Sequence, residues 1–373
     1  MAGIYLHIPF CKQACYYCDF HFSTDLSHQD EMIQAMIKEI AIQKDFLKEP
    51  VKTIYLGGGT PSLLSEQHIA RLLDAIHQTF EVALDVEVTL EGNPDDLNSV
   101  RLRSMKDQGI NRLSIGIQSF DDAILKYLNR AHNAAAAHQC LQAAVDTGFT
   151  NFSLDLIYAI PGLTIGQWQE TMEKAIKYLP THISSYTLTI EEKTVFGNWK
   201  KKGKLTLVDE ASAAKQFELL QTTMEEASFA QYEISNFCKQ GFHSRHNSSY
   251  WMQESYLGIG PSAHSYDGSS RFFNIRNNAV YVRSITDGRI PAEAEILTPE
   301  NKINEYILTR LRTIWGCDLT YLERKLGDNL TDRCAKYIDD QIKAGLLSLD
   351  DGVLRLTSQG KLLADKITED LMV

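Results

Sequence analysis

An α/β fold is the architecture this sequence predicts, built as an incomplete (β/α)6 barrel of the TIM type and followed by a small helical, winged-helix-like domain. Three observations lead there. Up to about residue 225, short runs rich in Val, Ile and Leu alternate with segments of helical period, six times in succession. Six such units in a row fit an open barrel better than a two-layer wound sheet. From Thr298 the chain reads as helical again, ending in a hairpin signal and a last helix.

The strands are expected at residues 4–8, 53–56, 85–90, 112–117, 152–157 and 182–187, where apolar and β-branched residues concentrate. The helix over 28–47 follows from a single stripe of Met32, Ile33, Met36, Ile37, Ile40 and Ala41, and that over 65–80 from Ile69, Leu72, Leu73 and Ile76. Further helices read at 97–108, 133–147, 165–178 and 210–227. Residues 1–227 therefore form the barrel. Residues 228–297 are rich in Ser, Asn, Tyr and Gly and read as irregular, and their length points to a functional surface. Residues 298–373 form the winged-helix-like domain, its hairpin turning at Asp351-Gly352.

Composition narrows the function. The chain has 373 residues, a net charge of -11 and 44% apolar residues, ordinary for a globular protein. The acidic balance argues against nucleic acid and against anionic lipid surfaces, which clustered Lys and Arg would bind. The last domain carries 11 Lys and Arg against 13 Asp and Glu, a net of 11 - 13 = -2, so it reads as a packing or docking module and not a DNA reader. No run of about eighteen apolar residues occurs and the N-terminus lacks a signal-like core, so a cytoplasmic location is expected. Of seven cysteines, three lie within eight residues while Cys140, Cys238, Cys317 and Cys334 are scattered, which points to metal and away from disulfides.

Cys11, Cys15 and Cys18 have the spacing CxxxCxxC just past the first strand, where a barrel places its chemistry. A zinc site would need a fourth ligand, for which His21 is the candidate. Three thiolates on a 4Fe-4S cube instead leave one iron open to a small molecule. After the second strand, Gly57-Gly-Gly-Thr-Pro61 removes three β-carbons, so that a ligand could lie on backbone N–H groups, although such a run also serves as a mere tight connection. Later strands end in Glu91, Gln118 and Asp155, with Arg130 following, a polar ring suited to ribose hydroxyls and a charged amino acid.

The segment Tyr5-Leu-His-Ile-Pro-Phe-Cys11 with Cys15-Tyr-Tyr-Cys18-Asp-Phe resembles the cluster loop of radical S-adenosylmethionine (SAM) proteins, specifically the oxygen-independent coproporphyrinogen III oxidase group. That resemblance implies a 4Fe-4S cluster on the three cysteines. It places Tyr17 against the SAM adenine, Tyr5 beside the cofactor, and Gly58, Gly59 and Thr60 at the SAM amino group. It also puts Glu91 on the cluster-linked SAM, and Gln118, Arg130 and Asp155 at a second SAM position. Bottom-up, Tyr17 is equally a rim aromatic covering the loop.

The oxidases carry a fourth cysteine where this chain has Phe20, and an extension ahead of the cluster loop where this chain has only ten residues. The form CxxxCxxCxF marks instead a sister group of heme chaperones, as does His246-Asn-Ser-Ser-Tyr-Trp251, which matches its HNxxYW motif. The resemblance spans nearly the whole chain. It implies heme as cargo, an apo-hemoprotein acceptor that includes peripheral membrane-associated proteins among its candidates, and a homodimer. His246 and Tyr250 are then the heme-contact candidates, with His7 and His264 behind them, while a hydrogen-bonded packing cluster is the competing account of the same residues. Two functions follow: heme binding and transfer, with no coproporphyrinogen oxidase activity, or a radical SAM enzyme acting on a tetrapyrrole.

Overall fold

The computed structural model describes residues 2–373. Its centre is a run of parallel strands, β1 (Ala2–Ile8), β2 (Val51–Gly58), β3 (Val82–Gly92), β4 (Arg112–Gln118), β5 (Phe152–Tyr158) and β6 (His182–Thr187), paired in sequence order. Each overlaps its expected position, with ends longer by up to a few residues. The crossovers are helices: α1 (Gln29–Ile42), α2 (Glu66–Thr79), α3 (Ser99–Asp107), α4 (Asp122–Tyr127), α5 (Ala134–Asp146), α6 (Ile165–Ile176), α7 (Val195–Lys201) and α8 (Glu210–Glu226).

Local chemistry sets these boundaries. Ser65, Asn98 and Asn133 accept hydrogen bonds from the first-turn amides of α2, α3 and α5, and Thr164 with Gln167 forms a capping box on α6. Short α4 and α7, capped by Asp121 and Thr194, were not anticipated because six or seven residues carry too little apolar period to register. The α1 stripe breaks off at Ile42, before the expected end.

Alternation along the strands makes the barrel two-faced. Ile4, Leu6 and Ile8, Ile54 and Leu56, Leu113, Ile115 and Ile117, and Leu154 and Leu156 point outward and are buried beneath the helices. The other face is polar. Thr53, Glu87, Thr89, Arg112, Ser114, Ser153, His182 and Ser184 are all buried, several bonded to one another across neighbouring strands.

The stretch expected to be irregular, 228–297, is instead ordered. It supplies β7 (Ala230–Glu233) and β8 (Asn236–Cys238) beyond β6, then α9 (Arg245–Trp251), β9 (Tyr256–Ile259), β10 (His264–Tyr266), β11 (Ser270–Asn274), α10 (Asn278–Thr286) and β12 (Ala292–Ile296). Strand β9 pairs parallel to β1, Leu6 opposite Ile259, and β10 to β12 continue outward as antiparallel strands. Thus the sheet is extended at both ends and left open. Strands of three to five residues at Ser, Asn and Gly-rich positions defeat a reading by alternation.

The C-terminal segment has its own core of Ile303, Ile307, Leu311, Leu330, Ile338, Leu354 and Ile367. Its hairpin joins Leu347–Asp350 to Val353–Leu356 through Asp351 (φ 52°) and Gly352 (φ 75°), both left-handed as a type I′ turn requires. It is tied to β7 by the Ile234 amide donating to the Arg312 carbonyl at 3.1 Å and by Arg312 on buried Glu233 at 3.1 Å. Among the described residues no helix is long and apolar enough to cross a membrane.

One side chain reports on the barrel's outer layer. Trp168 is fully buried between α6 and α8, its indole N–H donating to the Gln216 carbonyl at 3.0 Å. Trp168→Ala leaves a cavity, and is expected to lower stability by about 3–5 kcal/mol, read as a fall in the urea midpoint.

Candidate cluster loop, cofactor groove and aromatic cavity

Residues 9–23 form a loop over the C-terminal end of β1. Its base is closed by the Ser23 amide on the Pro9 carbonyl (2.9 Å) and the Cys11 amide on the Ser23 carbonyl (3.0 Å). Ties from other strand ends hold it open above the barrel. Lys12 meets Asp95 after β3 (2.8 Å), Asn129 after β4 donates to the Ala14 carbonyl (2.7 Å), and the Phe196 amide of α7 reaches the Tyr16 carbonyl (3.0 Å). His21 is engaged by Asn278 at 2.7 Å, and Arg276 binds the Asp19 carbonyl.

The three thiols share this loop as free, half-buried groups. Burial above all pushes Cys11 and Cys18 up to about 11, with Cys18 and Cys15 adding to the rise at Cys11 and Cys15 to that at Cys18. Crowded thiols that repel one another's charge are suited to a cationic cluster that takes them all as thiolates. Two polar groups already face them, the Thr60 hydroxyl at 3.4 Å from Cys11 Sγ and Arg130 Nη1 at 3.4 Å from Cys15 Sγ. Zinc would require His21 as fourth ligand, yet that ring is turned to Asn278.

The glycine turn after β2 works differently from expectation. Its amides do not face a ligand: Gly58 donates to Glu91 (3.1 Å), Gly59 to the Ile8 carbonyl (2.8 Å) and Thr60 to the Phe10 carbonyl (2.7 Å). Glycine is needed here for closeness, since a β-carbon on Gly59 would stand 2.6 Å from the Phe10 carbonyl oxygen, and Gly58 holds φ +102°. A positively charged amino group also needs acceptors, not donors. Glu91 and backbone carbonyls of the turn are the groups present that can supply them.

Glu91 is the hub of the groove. Tyr55 donates to it at 2.7 Å, and burial pushes its carboxyl up to about 7, with nearby Asp155 adding to the rise and the bonds from Tyr55 and Gly58 opposing it. Asp155 accepts from Ser114 (3.2 Å) and Ser153 (3.4 Å), and burial carries it to about 6 against the pull of Arg112. Arg130 joins Tyr17 (3.2 Å), Asn93 and the Gly116 carbonyl (2.9 Å) beneath the loop, with Gln118 (φ 63°) beside it near Gly116. The structure therefore brings Tyr17, Glu91, Gln118, Arg130 and Asp155 to one end of the barrel.

Sequence reasoning missed Tyr55 and Arg112. Arg112 is 1% exposed, and its Nε and Nη1 have no hydrogen-bond partner. The available signal was the period-two pattern of Arg112 and Ser114, Ser153 and Asp155, and His182 and Ser184, charged or hydroxyl residues alternating with apolar ones inside strands that must be buried.

His246 lies at the opposite end of the barrel interior. Its Nδ1 pairs with the Thr53 hydroxyl (2.8 Å), its Nε2 with the Tyr250 hydroxyl (2.7 Å), and its ring stacks on Tyr55 at 5.0 Å. It is 1% exposed, so in this arrangement neither nitrogen is available to an iron, and the packing account left open by the sequence describes its contacts. The rest of the motif behaves otherwise. Tyr250 and Trp251 line an open cavity of about 660 Å³, together with Tyr5, His7, Phe20, His264 and Arg276. Both nitrogens of His7 are engaged, Nδ1 by the Tyr5 hydroxyl and Nε2 by the His21 carbonyl, whereas His264 is exposed.

A profile of the Radical SAM superfamily matches residues 5–175, and one of the HemN C-terminal domain matches residues 297–363. The heme chaperone HemW of Bacillus subtilis is 35% identical over 98% of this chain and 98% of its own, and that of Escherichia coli 31% identical over 98% and 97%. Coproporphyrinogen III oxidase (HemN) of Escherichia coli superposes with a TM-score of 0.86 over 100% of this chain and 90% of its own, at 22% identity, which speaks for the fold alone.

His246 has a pH signature. Burial first and the Arg112 charge second push it down from 6.5 to about 3. Folded, it stays neutral to about pH 3, while the unfolded chain protonates it below 6.5, so its contribution is complete above 6.5 and lost as pH falls through that window. The stability advantage of the natural chain over His246→Gln is expected to be largest above pH 6.5 and to shrink at about pH 5 in urea titrations.

Proposed function

The chain belongs to the HemW family of the radical SAM superfamily, and from that premise we propose that it binds heme in the aromatic cavity and passes it to an acceptor apo-hemoprotein. The observation that carries this reading is the cavity itself. Its volume suits a macrocycle, tyrosine and tryptophan faces can stack on a porphyrin, and Arg276 stands at its wall to receive a propionate, while Arg271 beside it is paired with Glu305. His264 is the imidazole placed to ligate the iron, with His246 supporting Tyr250 from behind.

In this reading Cys11, Cys15 and Cys18 hold a 4Fe-4S cluster, and Glu91, the Gly58–Thr60 turn and Tyr17 hold SAM above it, as family membership implies. When bound, such a cluster supplies an open iron and an electron to the sulfonium ligand. The chain's own residues orient and shield: Arg130 offsets thiolate charge at Cys15, and Asp155 with Ser114 and Ser153 offers acceptors to ribose hydroxyls. Asp19, Phe20 and His21 belong to both the cluster loop and the cavity wall, so the two sites share one piece of chain.

Heme added to purified protein is expected to give a saturable Soret band. Arg276→Ala should weaken binding about tenfold through loss of a charge-assisted bond. His264→Ala should move the Soret maximum while His246→Gln leaves it in place; the reverse pattern, or no saturable band, refutes the cavity as the heme site. The Cys11→Ala, Cys15→Ala, Cys18→Ala triple variant, reconstituted anaerobically, is expected to lack iron-sulfur absorbance. Reduced, reconstituted wild-type protein is expected to form no protoporphyrinogen IX from coproporphyrinogen III, and product formation would favour the tetrapyrrole-modifying reading instead.

A further inference from the structure

The outermost strand of the large sheet is unlike the others. All five residues of β12, Ala-Glu-Ala-Glu-Ile, are exposed, Ile296 to 81%, and among the described residues no strand pairs with the side away from β11. The opposite edge, β7, is covered by the C-terminal segment through a bridge between Glu233 and Thr313. Edge strands left open are usually blunted by charge, Pro or short length, and β12, five residues long behind Pro291 with Glu293 and Glu295 on it, carries all three, which discourages a like-charged strand but leaves its outward peptide groups open to an oppositely charged one.

Its register shows what it offers. The Ile275 amide donates to the Pro291 carbonyl (2.8 Å) and the Leu297 amide to the Ser269 carbonyl (3.4 Å), and these lie in the same register that pairs Phe273 with Glu293 and Arg271 with Glu295. Odd-numbered residues of β12 therefore turn their peptide groups toward β11. Ala292, Ala294 and Ile296 turn theirs outward, a row of unpaired donors and acceptors.

The two faces beside this row differ. Ala292 and Ala294 wall a second cavity of about 640 Å³ together with Phe46, Phe272 and Ile290. Glu293 and Glu295 lie on the other face. Arg271, opposite Glu295, is held by Glu305 at 2.9 Å, so three carboxylates face one guanidinium and the patch stays acidic.

We propose that β12 is a docking edge that takes an extended segment of another protein as an added strand, one whose residues alternate between basic and apolar. Cross-strand neighbours share a face, so residues opposite Glu293 and Glu295 meet negative charge, and the alternating set meets the cavity where Phe46, Phe272 and Ile290 stand among polar residues. A second copy of the chain fits worse. Antiparallel self-pairing about Ala294 sets Glu293 against the partner's Glu295, like charges directly opposite.

The test uses the full-length protein and a labelled peptide of about eight residues alternating Lys and Val, with its Glu-Val counterpart as control. Fluorescence anisotropy is expected to show the Lys peptide binding at least about tenfold more tightly than the Glu peptide, with hydrogen-exchange protection of the amides of Ala292, Ala294 and Ile296. Ala294→Pro removes one outward amide without touching the ladder to β11 and should abolish binding while circular dichroism and heme uptake stay unchanged. The pair Glu293→Lys and Glu295→Lys should invert the preference. Equal affinity for both peptides, no binding of either, or retained binding by Ala294→Pro overturns the proposal. So does a dimer of the natural chain that Ala294→Pro dissolves, which would assign the edge to a second copy.

Discussion

The site rests on how closely β2 approaches the chain leaving β1. Gly59 and Thr60 donate their amides to the carbonyls of Ile8 and Phe10, a contact that any β-carbon on Gly59 would prevent. That contact seats the Thr60 hydroxyl against Cys11 and turns Gly58 toward Glu91. Cluster loop and cofactor groove are therefore two sides of one backbone junction. Few junctions of this kind tolerate alteration, because the atoms that would give way are main chain.

The second constraint is the polar interior of the barrel. Lining an interior with Thr53, Glu87, Glu91, Arg112, Ser114, Ser153, Asp155 and His182 is costly unless they find partners: Ser114, Ser153, Asp155 and His182 bond to one another, while Thr53, Glu87 and Glu91 bond to His246, to the α9 amides and to Tyr55. The arrangement gives up the apolar packing that fills most closed barrels and leaves a set of preoriented acceptors at its upper end. Tyr55 joins the two ends of this interior, one face stacked on His246 and its hydroxyl on Glu91.

Much of this could be read in the sequence. The six parallel strands and their longer helices were legible because apolar runs and stripes repeat at the right intervals, and the hairpin because Asp351-Gly352 suits a tight turn with two left-handed residues. That Cys11, Cys15 and Cys18 share one loop was legible from their spacing. Three things were not legible. The ordering of 228–297 depends on pairing with β1 and β6, strands far away in sequence, and not on local pattern. The amides of the glycine turn were expected to face a ligand, whereas they serve the neighbouring strand. His246 and Tyr250 are four residues apart on one helix, yet one is sealed and the other lines a cavity, a difference that only packing creates.

The cysteine loop is suspended from the ends of β3 and β4, from α7 and from the segment leading into α10 by side chains and amides other than the thiols. Its shape is accordingly set by the polypeptide and not by a ligand. If the proposed cluster sits there, the three thiols have only to swing toward one another on a loop already cast, so that side-chain rotation and access, and not ordering of the chain, would govern its insertion.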